Sequence, residues 1–295
     1  MDFSIMDERA FSASKRLWTE CFEGDDELFV NWYYNTRTCP QYALGAFNEG
    51  EADPIAMLHM LPMQMRFDGK AQRICFVAGV CTSPAYRHRG ICTELFEHAF
   101  DVMVKRGFAA SVLQPFNVGF YEKLGYKTFS FRDKFTVSDD WLSRFVQSAD
   151  ESSDAKPSPS GLLKIYREFT KGYSGCSLRR EEYFKGFIEE YSMPGAYLAV
   201  TPSACCAGWF EGEGRFTATE LFFLPGRLNE AIALLPRDAA SLSFALPTGL
   251  GFMREEEDGS VPGFKASRRE PYCMLAPLSE GFSLGAEECY CMDRY

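Results

Sequence analysis

"SPAYRHRGICTELFEHAF", Ser83 to Phe100, sets two arginines and a histidine just before a glycine and then opens an amphipathic helix. The apolar run "QRICFVAGVCT" ahead of it reads as a strand. The helix is expected over about Thr93 to Lys105, with Leu95, Phe96, Ala99, Val102 and Met103 on one stripe and Gly107 ending it. The first amides of a helix have no internal partners and carry partial positive charge. A strand, a charged turn and a helix start therefore suit an anion such as phosphate. Gly90 permits close backbone approach and positive φ, and Arg87 and Arg89 add full charge. A solvated basic loop before an ordinary helix fits the same residues, so the rest of the chain must decide.

Working outward, "SASKRLWTECF" and "ELFVNWYYNTR" read as helices separated by the acidic break "EGDDE". "YALGAFN", "PIAMLHMLPMQMRF" and "QRICFVAGVCT" read as strands, with a hairpin at "DGK". After the helix come a buried strand in "FAASVLQPF", a short helix in "VGFYEKLGY" and a closing strand in "KTFSFRDKFTV". This order predicts an α/β unit built around one mixed sheet. The polar, Ser- and Pro-rich stretch "QSADESSDAKPSPSG" reads as a linker. It divides the chain into a first domain over 1–147, a linker over 148–161 and a second domain over 162–295. The second half repeats the succession of helices and strands, and "EPYCMLAPL" and "ECYCMDRY" are expected to close its sheet.

The net charge of −10 argues against a nucleic-acid partner, which calls for a basic face. No apolar run is long enough to span a membrane, and the acidic residues near the start do not suit a signal peptide. The 11 cysteines lack any CxxC spacing and only three histidines accompany them, so no metal site is expected. They read as reduced fillers in a cytoplasmic protein.

The turn Arg87-His88-Arg89-Gly90-Ile91-Cys92 resembles motif A of the GNAT superfamily of N-acyltransferases, whose pattern is Gln/Arg-x-x-Gly-x-Gly/Ala. Cys92 departs at the last position but is small. "GVCTSPAYR" and "FAASVLQPFNVGFYEKLGYKTF" extend the likeness over about Ala78 to Phe129. "PIAMLHMLPMQMRFDGKAQRICFVAGVCTSPAYRHRG" and "IYREFTKGYSGCSLRREEYF" resemble the enhanced-intracellular-survival type, with tandem GNAT-like domains. That type also carries a sterol-carrier-like third domain, which is expected to be absent or vestigial here, since only about 43 residues follow Phe252. The resemblance implies two tandem GNAT-like domains and an N-acetyltransferase that moves an acetyl group from acetyl-CoA to a primary amine of a small molecule or peptide. The pyrophosphate would rest on the amides of Arg87, His88, Arg89, Gly90, Ile91 and Cys92. Backbone of Val80, Cys81 and Thr82 would pair with the pantetheine arm, and Asn117 would lie near its acyl end, although Asn117 also suits an N-cap.

Acetyl transfer needs a neutral amine, an oxyanion donor and an acid for the leaving thiolate. Tyr121 stands where the family places that acid. The base is open: the strand "ICFVAGV" lacks the glutamate that many relatives carry. His59 on the neighbouring strand is one candidate, though a lone histidine among apolar residues is commonly a core group. The terminal carboxylate of Tyr295 is the other, implied by the subfamily. The acidic residues Glu20, Glu23, Asp25, Asp26 and Glu27 could attract an ammonium group or simply be solvated. The second half has "FLPGRLNEA" where the first has its charged turn, so no CoA site is expected there. Relatives of this type often assemble through the second domain, which leaves a homo-oligomer compatible. The alternative function is a non-catalytic acyl-CoA-binding sensor or interaction protein, and acyl chain length stays open.

Overall fold

The computed structural model describes residues 1–137, 156–247, 265–285 and 289–291. The elements in order are β1 (Asp2–Ile5), α1 (Glu8–Cys21), α2 (Glu27–Thr36), β2 (Ala43–Phe47), β3 (Ala56–Phe67), β4 (Lys70–Thr82), α3 (Ile91–Lys105), β5 (Ala110–Leu113), α4 (Val118–Lys123) and β6 (Lys127–Val137). Then come α5 (Pro159–Thr170), β7 (Cys176–Ser177), α6 (Glu181–Glu190), β8 (Ala196–Val200), β9 (Ala204–Glu211), β10 (Arg215–Phe223), α7 (Leu228–Ala233), β11 (Ser241–Pro247) and β12 (Lys265–Pro277). The fold is mixed α/β, as expected. Residues 148–155 of the expected linker lie outside the described residues.

Two compact units emerge. The first comprises Met1–Phe129 and Cys273–Gly285, the second Ser130–Tyr272 with the described residues 289–291. In the first unit β1, β2, β3 and β4 pair antiparallel in succession, and β5 joins β4 in parallel. A parallel neighbour needs a crossover, which α3 supplies. In the second unit β8, β9 and β10 are antiparallel, and β11 joins β10 in parallel across α7. The same pairing scheme thus occurs twice.

The closing strands correct the sequence reading. "EPYCMLAPL" does not only close the second sheet: Met274–Pro277 of β12 run antiparallel to β5 in the first unit, with Met274 opposite Leu113. "KTFSFRDKFTV" does not only close the first sheet: residues 132–137 of β6 run antiparallel to β11 in the second unit. The end of β6 alternates and the end of β12 is buried continuously from Tyr272 to Ala276, and neither local pattern carries information about which partner is chosen.

In the first unit α3 begins at Ile91, two residues earlier than the periodicity suggests. Ile91, Leu95, Phe96, Ala99 and Met103 are buried against the sheet. Spacing of three and four puts them on one face, and burying a Leu or Phe fully stabilises by about 1.5–3 kcal/mol. Gly107 ends the helix at φ 71°, and the Phe108 amide donates back to the Met103 carbonyl at 3.1 Å. On the other face of the sheet, α1 and α2 bury Phe11, Leu17, Trp18, Val30, Tyr33 and Tyr34 with Met57 and Cys81.

Within the second unit, Arg179 makes a two-pronged ion pair with Glu220, both arms 2.7 Å, beneath the rings of Tyr166 and Tyr183. Both residues are buried. No helix among the described residues is long and apolar enough to cross a membrane. Nor do the described residues contain a group of three or more His, Cys, Asp or Glu placed to hold a metal ion.

Candidate functional site

The charged turn grows out of a defect in β4. Met57 faces Cys81 and His59 faces Ala78, so β4 carries one more residue than β3 across this step. The bulge holds Gly79 at φ 59°. A Cβ there would lie 2.7 Å from Cζ3 of Trp18 and 3.0 Å from Nδ1 of His59. Only glycine satisfies both the backbone angle and the space.

Beyond Thr82 the chain makes a short 3₁₀ turn, Pro84–Tyr86, and reaches α3 through His88 at φ 63° and Gly90 at φ 82°. The Thr93 and Glu94 amides both turn to the Gly90 carbonyl, at 2.9 and 3.2 Å. The five consecutive amides of His88, Arg89, Gly90, Ile91 and Cys92 donate to no group among the described residues. Left-handed residues alternating with ordinary ones curl such amides into an anion-binding concavity, and the α3 dipole adds to it. Two arginines shape the turn as well as charging it. Arg87 Nε donates to the Thr82 carbonyl at 3.0 Å, and Arg89 donates to the Ala85 carbonyl at 2.9 Å and lies over the Tyr86 ring.

These groups floor a cleft of about 690 Å³. Its lining includes Val80, Cys81 and Thr82 from β4, Arg87 through Cys92 from the turn, Phe116 and Phe120 beyond β5, Cys21 at the end of α1 and Phe22 just after it. Nine of the predicted binding residues are thereby brought together. The tenth, Asn117, is not on the lining; its Oδ1 accepts from the Phe120 amide at 3.1 Å and caps α4. Phe116, which sequence reading did not single out, is 76% exposed and stacks on Phe120. An exposed Phe beside a cleft has no local sequence signal.

Tyr121 lies behind this lining, 2% exposed, with the rings of Phe96, Phe116, Phe120 and Tyr126 set edge-on around it. Burial, and secondarily the nearby Cys92 thiol, pushes its phenol well above the ordinary value, so it is protonated at neutral pH. The Cys92 thiol is itself pushed up to about 11 by burial. His59 sits elsewhere, fully enclosed and off the lining. Its ring packs against those of Trp18 and Tyr33, which also touch each other, and its Nδ1 shares a hydrogen bond with the Tyr33 hydroxyl at 3.1 Å. Its Nε2 is sealed in without a partner among the described residues, and burial lowers its pKa to about 3. It is a neutral ring that props the bulge. Tyr295 lies outside the described residues.

The acidic break is largely spent on structure. Asp25 accepts from the Trp18 indole at 2.9 Å, and Asp26 caps α2 through the Phe29 amide at 2.8 Å. Glu20 accepts from the Ser83 hydroxyl at 3.1 Å, tying the end of α1 to the turn.

Residues 3–129 match the family described as acetyltransferase (GNAT) domain. The first unit is a GNAT domain. Its charged turn, the end of β4 that leads into it, and β5 with the short α4 are the parts on which the sequence likeness rested. No curated protein matches the chain in sequence. Over the whole chain, the fold is similar to that of a GCN5-related N-acetyltransferase from Kribbella flavida, at 15% identity and TM-score 0.68, covering 94% of this chain and 72% of that one. It is also similar to Eis1 from Mycobacterium abscessus, at 14% identity and TM-score 0.68, covering 94% and 74%. A GCN5-related N-acetyltransferase from Anabaena variabilis gives 13% identity and TM-score 0.72, covering 94% and 73%. At these identities the likeness is one of fold. The GNAT domain here shares that fold and supports acyl transfer as its general chemistry.

Proposed function

We propose that the GNAT domain binds an acyl-CoA, acetyl-CoA in the simplest case, and transfers the acyl group to a primary amine of a small molecule or peptide. The observation that carries this reading is the run of five amides from His88 to Cys92, without a partner among the described residues and curled between Arg87 and the start of α3 at the floor of a cleft of about 690 Å³. A pyrophosphate matches that floor in charge and in hydrogen-bonding need. The backbone of Val80, Cys81 and Thr82 would flank the pantetheine arm, in the manner of an added strand.

In the reaction the neutral amine nitrogen attacks the thioester carbonyl carbon, the tetrahedral adduct collapses, and the carbon–sulfur bond breaks. Tyr121, held protonated by burial, gives its proton to the departing thiolate and regains one from solvent. The amine proton leaves to water, because His59 is walled in by Trp18, Tyr33 and Tyr34, whereas Tyr121 stands directly against the lining rings of Phe116 and Phe120. The second unit serves the acceptor side or assembly and not the donor. At its corresponding step α7 is only six residues long, and Arg227 there is paired with Glu230 at 3.9 Å.

One observation favours a second reading, a non-catalytic acyl-CoA-binding protein: no Asp, Glu or Lys is among the cleft's lining residues. Thiol release from acetyl-CoA across a panel of amines separates the two. Release that requires one class of amine supports the transferase. No release, with CoA still bound in a titration, supports the binding protein. Absence of CoA binding removes both.

A further inference from the structure

Three cysteines face one cleft: Cys21 from the last turn of α1, Cys81 from β4 and Cys92 from the first turn of α3. Their sequence separation gives no hint of this. The end of α1 is fixed to the turn twice. Glu20 takes the Ser83 hydroxyl, and the Cys21 thiol donates to the Thr82 carbonyl at 3.5 Å. That same carbonyl accepts from Arg87 Nε at 3.0 Å, so the guanidinium lies beside the Cys21 sulfur. Cys81 lines the same cleft next to Thr82. The three thiols then differ in kind. The hydrogen bond from Cys81, followed by the hydrogen bond and charge of Arg87, outweighs partial burial and the opposing Glu20 carboxylate, and brings Cys21 down to about 7. Cys81 is pushed well up, by its bond to Cys21 and by burial, and Cys92 is pushed up by burial. A thiolate beside a cation in an open cleft is the reactive form of cysteine, and buried protonated thiols are inert.

We propose that Cys21 is a thiol-exchange site that takes the disulfide of CoA, forming a Cys21–CoA mixed disulfide within the donor cleft. The proposal rests on the reading of the cleft as a CoA site. The Cys21 thiolate attacks one sulfur of CoA disulfide. The sulfur–sulfur bond breaks, a Cys21 sulfur–CoA sulfur bond forms, and the other CoA leaves as thiolate and takes up a proton. Cys21 is oxidised and one CoA is reduced, so no other oxidant enters. Cys81 positions the thiolate and does not resolve the adduct, because its own thiol stays protonated. The adduct fills the cleft that an acyl-CoA would occupy and is reversed by a thiol reductant.

The test is intact-mass and peptide-mapping analysis of the full chain after incubation with CoA disulfide at neutral pH. Glutathione disulfide serves as a parallel arm, and Cys21→Ser and Cys81→Ala as parallel proteins. The expected result is one CoA adduct on Cys21, lost in Cys21→Ser and on addition of dithiothreitol. It forms more slowly in Cys81→Ala and in the presence of acetyl-CoA, and faster with CoA disulfide than with glutathione disulfide. An adduct placed on Cys39 or Cys92 instead overturns the proposal, as does equal reaction with the two disulfides. A CoA titration of Cys21→Ser separates this failure from failure of the cleft reading. No adduct with CoA still bound overturns the thiol site alone. No adduct and no CoA binding overturns both.

Discussion

Gly79 and His59 touch across the β3–β4 pair so closely that a methyl group on Gly79 would stand 3.0 Å from the imidazole Nδ1. The Trp18 ring closes the other side at 2.7 Å. Gly79→Ala therefore carries a left-handed backbone penalty of about 1–2 kcal/mol and an overpacking penalty of about 1–3 kcal/mol. Urea unfolding should register a loss of about 2–5 kcal/mol. Unchanged stability would mean that the bulge is not held by this contact.

His59 makes folding sensitive to acid. The unfolded chain protonates this ring at its ordinary value of 6.5, and the folded protein only near 3. Between those values the unfolded state holds more protons, so stability falls as pH falls, by about 1.4 kcal/mol per pH unit. From pH 6.5 to 5 the contribution is about 2 kcal/mol. Urea titrations at the two pH values should find a smaller difference in His59→Phe than in the wild-type protein.

Tyr121→Phe removes a hydroxyl that makes no hydrogen bond among the described residues, and keeps the ring packing. Thermal melting should barely move, while kcat falls by about 100-fold or more if the hydroxyl is the acid. Because the phenol is pushed up, deprotonation of Tyr121 should produce no alkaline fall in activity below pH 10. A variant that keeps its kcat would assign Tyr121 to packing alone.

Arg89→Ala loses charge at the turn and its bond to the Ala85 carbonyl. An exposed charge-assisted contact worth about 1.4 kcal/mol corresponds to a tenfold rise in donor KM. Raising the salt concentration should narrow the gap between variant and wild type. A donor KM that does not change would place the phosphates elsewhere.

Glu220→Gln leaves the Arg179 guanidinium buried without its carboxylate. Breaking one side of such a pair costs about 3–5 kcal/mol. Unfolding should register that loss, with donor binding in the other unit, measured by CoA titration, unchanged in the folded fraction.

The turn from Arg87 to Cys92 was legible because its determinants are local: a strand, a glycine that tolerates positive φ, and an apolar stripe of period 3.6. The N-cap role of Asn117 was legible for the same reason. What stayed hidden depends on residues far apart in sequence. The enclosure of His59 is made by Trp18, Tyr33 and Tyr34 on two helices, and no pattern around residue 59 announces it. Cys21 and Cys81 meet across sixty residues. β1 escaped notice because four residues are too few to declare a period. Arg87 was read as charge alone, since its bond to the Thr82 carbonyl depends on how the turn folds back.

The crossed closing strands decide how this chain can be divided. Cutting within 148–155 would look like separating two modules, yet an N-terminal fragment so made would lack the stretch from Met274 to Pro277 that covers the outer edge of β5. It would present β5 as a bare hydrogen-bonding edge. The complementary fragment would lack residues 132–137 alongside β11. Each piece would need its counterpart to become whole, so fragment complementation, and not independent expression, is the natural behaviour of a protein severed there.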